Sequence, residues 1–142
     1  MKNKFFFIFI LLIKSHIVYA EQFIFETKNI KILDKGKIIT SDQGKVVSTS
    51  KDLEIIADRF EYNKELNQLD INGNGFIFLK TRDIKIFFDS GIIDQKNSIY
   101  KAKGNILFED LQNKILIEAK EIIYDDYNQI LKVHCFALRK RQ

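Results

Sequence analysis

From Leu53 onward the chain alternates. Leu53, Ile55 and Ala57 are separated by Glu54, Ile56 and Asp58, and Phe60 and Tyr62 continue the alternation after a slip of one residue. Asn63-Lys64-Glu65-Leu66-Asn67 is a polar turn, Leu69 and Ile71 a returning strand, Gly73-Asn74-Gly75 a kink, and Phe76 and Phe78 a further strand. Lys80-Thr81-Arg82-Asp83 then connects to a second copy of the same scheme. Short alternating runs divided by turn clusters predict strands rather than helices, because successive side chains of a strand point to opposite faces. β-Branched and aromatic residues fill the alternating positions, as a half-buried pleated surface favours. The mature chain shows no sustained helical spacing of apolar residues.

The scheme repeats in register. Leu53, Ile84 and Ile115 are 31 residues apart, as are Ile55, Ile86 and Ile117, then Ala57, Phe88 and Ala119, then Tyr62, Ile93 and Tyr124, then Leu69, Tyr100 and Leu131. The same step carries Gly73-Asn74 onto Gly104-Asn105 and Phe76 onto Leu107. With a step of 30 it reaches upstream: Phe23, Phe25, Ile30, Ile32, Ile39 and Val46 precede Leu53, Ile55, Phe60, Tyr62, Leu69 and Phe76. Nearly four copies of one structural unit follow. Each copy is expected to contribute about four short strands joined up-and-down, paired antiparallel because the connections are too short for a parallel crossover. In the first copy, residues 22–33 slip at Thr27-Lys28-Asn29, Asp34-Lys35-Gly36 is a turn, and Asp42-Gln43-Gly44 is another turn between strands Lys37–Ser41 and Lys45–Thr49. In the third copy the turn is Asp94-Gln95-Lys96-Asn97, in the fourth Asp125-Asp126-Tyr127-Asn128. The fourth has Cys135 where the glycine should be, and Phe136–Lys140 reads as a last strand.

Composition alters this picture little. The chain of 142 residues is one domain at most, 46% hydrophobic, with a net charge of +4. That charge sits at the ends. Without Lys2, Lys4, Lys14, Arg139, Lys140 and Arg141, the body from 21 to 138 holds 17 bases against 19 acids. No basic face for nucleic acid emerges. Residues 1–20 read as a secretory signal peptide: Lys2 and Lys4, an apolar run of nine at Phe5–Ile13, and Val18-Tyr19-Ala20 before the cleavage point. The run is short for a bilayer span, which takes about 20 residues; an uncleaved anchor is the alternative. No cysteine follows, so a bacterial lipoprotein is not expected. The organisation is then 1–20 signal peptide, 21–138 β-domain and 139–142 basic tail. Cys135 is the single thiol, so the exported domain is expected to fold without an internal disulfide.

Ile56-Ala57-Asp58-Arg59-Phe60-Glu61-Tyr62-Asn63-Lys64 followed by Gly73-Asn74-Gly75-Phe76 resembles the repeated unit of the OstA-like (organic solvent tolerance) domain. Phe88-Asp89 to Gly104-Asn105-Ile106 and Ala119 to Asn128 repeat it, with Ile93 in place of the tyrosine that Tyr62 and Tyr124 supply. The family includes the periplasmic lipopolysaccharide-transport bridge protein and the N-terminal domain of the outer-membrane lipopolysaccharide-assembly barrel. The resemblance covers roughly residues 22–133. It implies an all-β, twisted antiparallel β-jellyroll of two stacked sheets in a V, located in the periplasm in association with the outer membrane. It also implies an apolar interior that carries the acyl chains of lipid A, and edge-to-edge docking with other jellyroll domains of the bridge or the assembly barrel, or head-to-tail between copies of the chain. Whether the chain is a whole bridge protein or a detached N-terminal domain stays open.

Two faces of short strands packed tightly make a sandwich core, and held apart they make an acyl-chain groove. The candidate lining residues are Ile55, Ala57, Phe60, Ile71, Phe76, Phe78, Ile86, Phe88, Ala102, Leu107, Ile117 and Ala119, with the three alanines leaving space among larger neighbours. The candidate docking edges carry Phe23 and Phe25 at the front and Phe136 and Leu138 at the back. Catalysis finds no support: Asp125-Asp126, Glu109-Asp110 and His134-Cys135 are adjacent pairs, which a strand would split between its faces. His134 is the only histidine of the mature chain, so no zinc site and no cofactor are expected, and Gly73-Asn74-Gly75 precedes a strand rather than the helix of a phosphate loop. The competing reading is a purely structural β-repeat module with a sealed core.

Overall fold

The computed structural model describes residues 23–48 and 52–140, the last six as backbone only. The signal-peptide segment lies outside the described residues. Eight strands follow one another: β1 (Phe23–Leu33), β2 (Ile38–Ser48), β3 (Leu53–Asn63), β4 (Gln68–Leu79), β5 (Ile84–Asp94), β6 (Ile99–Asp110), β7 (Ile115–Asp125) and β8 (Ile130–Lys140). Each pairs antiparallel with the next in a single sheet of order β1 to β8, left open at both ends among the described residues. The strands β3, β5 and β7 begin at Leu53, Ile84 and Ile115, the residues on which the sequence repeat was read.

The strands are half as many and twice as long as expected. Asp42-Gln43-Gly44 does not reverse the chain: β2 runs through it, keeping β3 as partner from Ser41↔Phe60 to Gly44↔Ala57. Gln43 takes φ 39 there. The same holds at Gly73-Asn74 and Gly104-Asn105, where φ is 78 and 47, then 77 and 43. A tight turn and a mid-strand bulge both recruit Gly, Asn and Asp for positive φ, so the residue types alone do not tell them apart. β1 likewise passes through Thr27–Asn29 as one strand.

The bulges are counted by the register. Between Ile56↔Phe76 and Arg59↔Asn72, β4 spends one residue more than β3, and it spends one more than β5 between Asn72↔Ser90 and Gly75↔Phe88. β6 carries the same extra residue against both neighbours. Each bulge is held by a bracket across to the preceding strand: Asn74 Nδ2 donates to Asp58 at 2.7 Å and Asn105 Nδ2 to Asp89 at 2.8 Å. A Cβ on Gly73 would stand 2.5 Å from that Asp58 carboxylate, so glycine is required by space as well as by φ.

The true reversals are the polar turns. Asp94, Asp110 and Asp125 each accept the backbone N–H and the side-chain amide of the asparagine three residues on, at 2.7–3.0 Å. Turns then stack on turns: Gln95 N donates to Asn67 O at 3.0 Å and Asp126 N to Ser98 O at 3.0 Å.

One face of this sheet is buried almost completely, by a continuous cluster that includes Leu53, Phe60, Ile71, Ile86, Tyr100 and Ile122. The sheet supplies its own cover. Phe23 lies level with Leu53, through Ser48. In a flat sheet it would stand roughly 30 Å from Tyr62 at the far end of β3. The two rings meet instead, centroids 5.2 Å apart and edge-on at 87°. Arg82, in the β4–β5 connection, reaches Tyr124 at the opposite end of β7, Nη1 to hydroxyl 2.8 Å. Bent at its mid-strand kinks, the sheet brings opposite strand ends together around the apolar face.

Candidate functional site

The inner face is the candidate site. Ile55, Ala57 and Phe60 of β3, Ile71 of β4, Ile86 and Phe88 of β5, Ala102 of β6, and Ile117 and Ala119 of β7 all join the buried cluster. The space beside small residues is partly filled. Phe88 pairs with Gly75, and its ring lies so close that a side chain at Gly75 would overlap it.

Phe76, Phe78 and Leu107 are not on this face. They point outward, where Phe76 packs on Phe87 with centroids 4.9 Å apart and the Lys85 ammonium sits 5.6 Å from the Phe78 ring. Their places inside are taken by Ile77, Leu79, Ile106 and Phe108. The reason is the bulge. In β3 the inward series shifts by one at Asp58-Arg59, so that Ala57 and Phe60 both face in. β4 must make the same shift to keep its face, but it also carries the extra residue of Gly73-Asn74, and the two cancel. Odd-numbered residues therefore stay inside from Leu69 to Leu79. The run Phe76-Ile77-Phe78-Leu79 is apolar at every position, so alternation gave no warning.

At the edges, Phe23 and Phe25 turn their rings inward against Tyr62, at 5.2 and 6.4 Å. Farther along β1 the same face is bare: Ile30 is 49% and Ile32 66% exposed, since no strand among the described residues lies beyond. Phe136 and Leu138 pair through their backbones with Ala119 and Ile117, and their side chains lie outside the described residues.

Arg82 and Tyr124 line a half-open hollow of about 340 Å³ at this end of the fold, with Ile84, Phe108, Ile117 and Leu131 on its apolar side and Asp110, Gln112, Asn113 and Gln129 on its polar side. Arg82 also approaches Asp126, Nη1 to Oδ1 3.2 Å, although that carboxylate oxygen is buried and makes no well-directed hydrogen bond. Burial pushes the Tyr124 hydroxyl above its ordinary pKa; Arg82 pulls it back, and Asp126 and Asp110 push it up further. A second hollow of about 500 Å³ lies on the outer face among Asp70, Ser90, Lys101, Lys103 and Glu121. No group of three or more His, Cys, Asp or Glu among the described residues is placed to hold a metal ion. No helix among them is long and apolar enough to cross a membrane.

No protein-family profile and no curated protein matches this sequence. A solved structure does. LptH of Pseudomonas aeruginosa, described as the LptA-homologous periplasmic component of the conserved lipopolysaccharide transport device, matches with a TM-score of 0.74. The match spans 86% of this chain and 96% of LptH, at 11% sequence identity. The chain has the LptH fold. Since so few residues are shared with LptH, the likeness lies in the path of the backbone: an open antiparallel sheet bent over one apolar face.

Proposed function

We infer that this chain is a periplasmic module of lipopolysaccharide transport, which holds lipid A acyl chains against its inner face and passes them toward the outer membrane. The observation that carries the reading is the match to LptH over nearly the whole described chain, with the apolar face enclosed by one bent sheet. Acyl chains gain about 0.8 kcal/mol per methylene removed from water, so a modest buried length suffices for micromolar binding. In this reading the four copies of the unit bend into two stacked half-sheets in a V, and Ile55, Ala57, Phe60, Ile71, Ile86, Phe88, Ala102, Ile117 and Ala119 meet the chains. Residues 1–20 export the protein and are removed.

Docking follows at the sheet edges. β1 has one strand neighbour among the described residues, and Ile30 and Ile32 stand exposed beside its free backbone groups. Such an edge accepts a further strand, from a similar domain or a second copy. The second reading, a structural β-repeat module, draws on the tightness of the interior: Ile55, Phe60 and Ile71 are wholly buried. The two separate in one experiment. A photo-crosslinking residue at Phe88 captures lipopolysaccharide under the transport reading, whereas failure at every inner position leaves the structural module.

A further inference from the structure

The two closures of the bent sheet differ in what meets the tyrosine. At the β1 end Tyr62 meets the rings of Phe23 and Phe25, and its hydroxyl donates along its own edge to Gln95 at 3.0 Å. At the β8 end the repeat-equivalent Tyr124 meets one ring across the fold, Phe108 at 6.1 Å, and its hydroxyl is met by a cation: Arg82 Nη1 donates to it at 2.8 Å and stands 3.2 Å from Asp126. The combination occurs once, because the positions 31 residues away from Arg82, Tyr124 and Asp126 hold Lys51 and Asn113, Ile93, and Gln95.

Opening an aromatic closure exposes apolar surface to water, with nothing to replace the lost contacts. Opening the closure at Tyr124 gives up one ring contact across the fold instead of two and exchanges its hydrogen bonds for bonds to water, at a smaller net cost. The second closure is already part-wetted, with Arg82 side-chain exposure of 32% against 13% for Asp126. It also holds a buried carboxylate oxygen without a hydrogen bond, which gains one on opening. Arg82 and Tyr124 line the half-open hollow of about 340 Å³ together with the apolar residues Ile84, Phe108, Ile117 and Leu131, so this closure lies at the mouth of that apolar surface.

We propose that Arg82, Tyr124 and Asp126 form a clasp that opens the β8 end of the interior to an acyl chain, while the aromatic closure at β1 stays shut. The proposal rests on the acyl-carrier reading for its ligand, but not for its motion. The three residues position the mouth and control rates of passage; they are not the groups that hold the chain.

The test has two arms, both in the full chain with Cys135→Ser. In the first, Ile117→Cys behind the clasp and Ile55→Cys away from it are labelled with a water-soluble maleimide. Tyr124→Phe or Asp126→Asn should speed labelling at 117 at least several-fold and leave 55 unchanged. Equal acceleration at both sites means general loosening and overturns the clasp, as does no acceleration at either; urea denaturation checks that the variants remain folded. In the second arm, stopped-flow fluorescence follows the 18-carbon cis-parinaric acid. The clasp predicts that both association and dissociation quicken in the variants while the affinity changes little. Binding by the wild-type chain with unchanged rates in the variants contradicts the clasp. Faster labelling at 117 with no parinaric acid bound by the wild-type chain upholds the clasp and removes the carrier reading instead.

Discussion

At the scale of single residues, the decisive fact is which face a side chain takes after the kink. Gly73 and Asn74 adopt positive φ in succession, and the residue they add returns Ile77 to the inside and leaves Phe76 outside. This has an energetic signature. Ile77 is 1% exposed, so Ile77→Ala should cost about 2–5 kcal/mol. Phe76 has outer-face ring contacts with Phe87 and Phe78 and is not fully buried, so Phe76→Ala should cost less, about 1–2 kcal/mol. Urea unfolding of the two variants checks the assignment, and a larger loss at Phe76 would reverse it. The alternation rule read Phe60 and Phe88 correctly and misplaced Phe76, Phe78 and Leu107. Phe60 follows a slip within its strand, visible as two polar residues in succession, and Phe88 precedes the corresponding pair, whereas the other three follow a bulge. An added residue at a bulge is a property of two paired strands, and one strand's pattern does not contain it.

At the scale of elements, the turns are the most legible part of the chain. Asp94 and Asp125 each precede an asparagine by three residues, and each forms the turn its spacing announces. Strand length was not legible, because Asp42-Gln43-Gly44 has turn composition and yet β2 runs straight through it. The turn carboxylates link stability to acid. Hydrogen bonds from Asn128 hold Asp125 below its ordinary value of 3.8. For Asp94 slight burial pulls upward, but the bonds from Asn97 outweigh it and the result is again below 3.8. A carboxylate with a lowered folded-state pKa contributes stability that is complete above the unfolded value and is lost as the pH falls through the folded one. The wild-type chain should therefore lose stability as the pH drops below 3.8, and the Asp94→Asn/Asp125→Asn variant should lose less over the same span, although it begins less stable. Urea midpoints at neutral and acid pH measure this. Parallel curves for the two proteins would remove these turns as the source.

At the scale of the whole molecule, the repeat predicted a sheet of like hairpins, and the structure adds that the sheet wraps its own apolar face. That closure depends on pairs far apart in the chain, Phe23 with Tyr62 and Arg82 with Tyr124, none of which falls at the repeat spacing. Among the described residues, the far part of β1 leaves the face bare, at Ile30 and Ile32. If β1 is a docking edge, Ile32→Lys should weaken association between copies of the chain without lowering the unfolding midpoint, since Ile32 is already 66% exposed. Sedimentation velocity of the wild-type and variant proteins gives the answer, and unchanged association places the contact elsewhere.

The central claim is that acyl chains ride on the inner face. Phe87 and Phe88 are neighbours in β5 that face opposite ways, one 40% and the other 3% exposed. A photo-crosslinking residue placed at each in turn, in cells that make lipopolysaccharide, samples the two faces from a single strand. The account predicts a lipopolysaccharide adduct from position 88 and none from 87. Equal yields from the two positions, or an adduct from 87 alone, would contradict it.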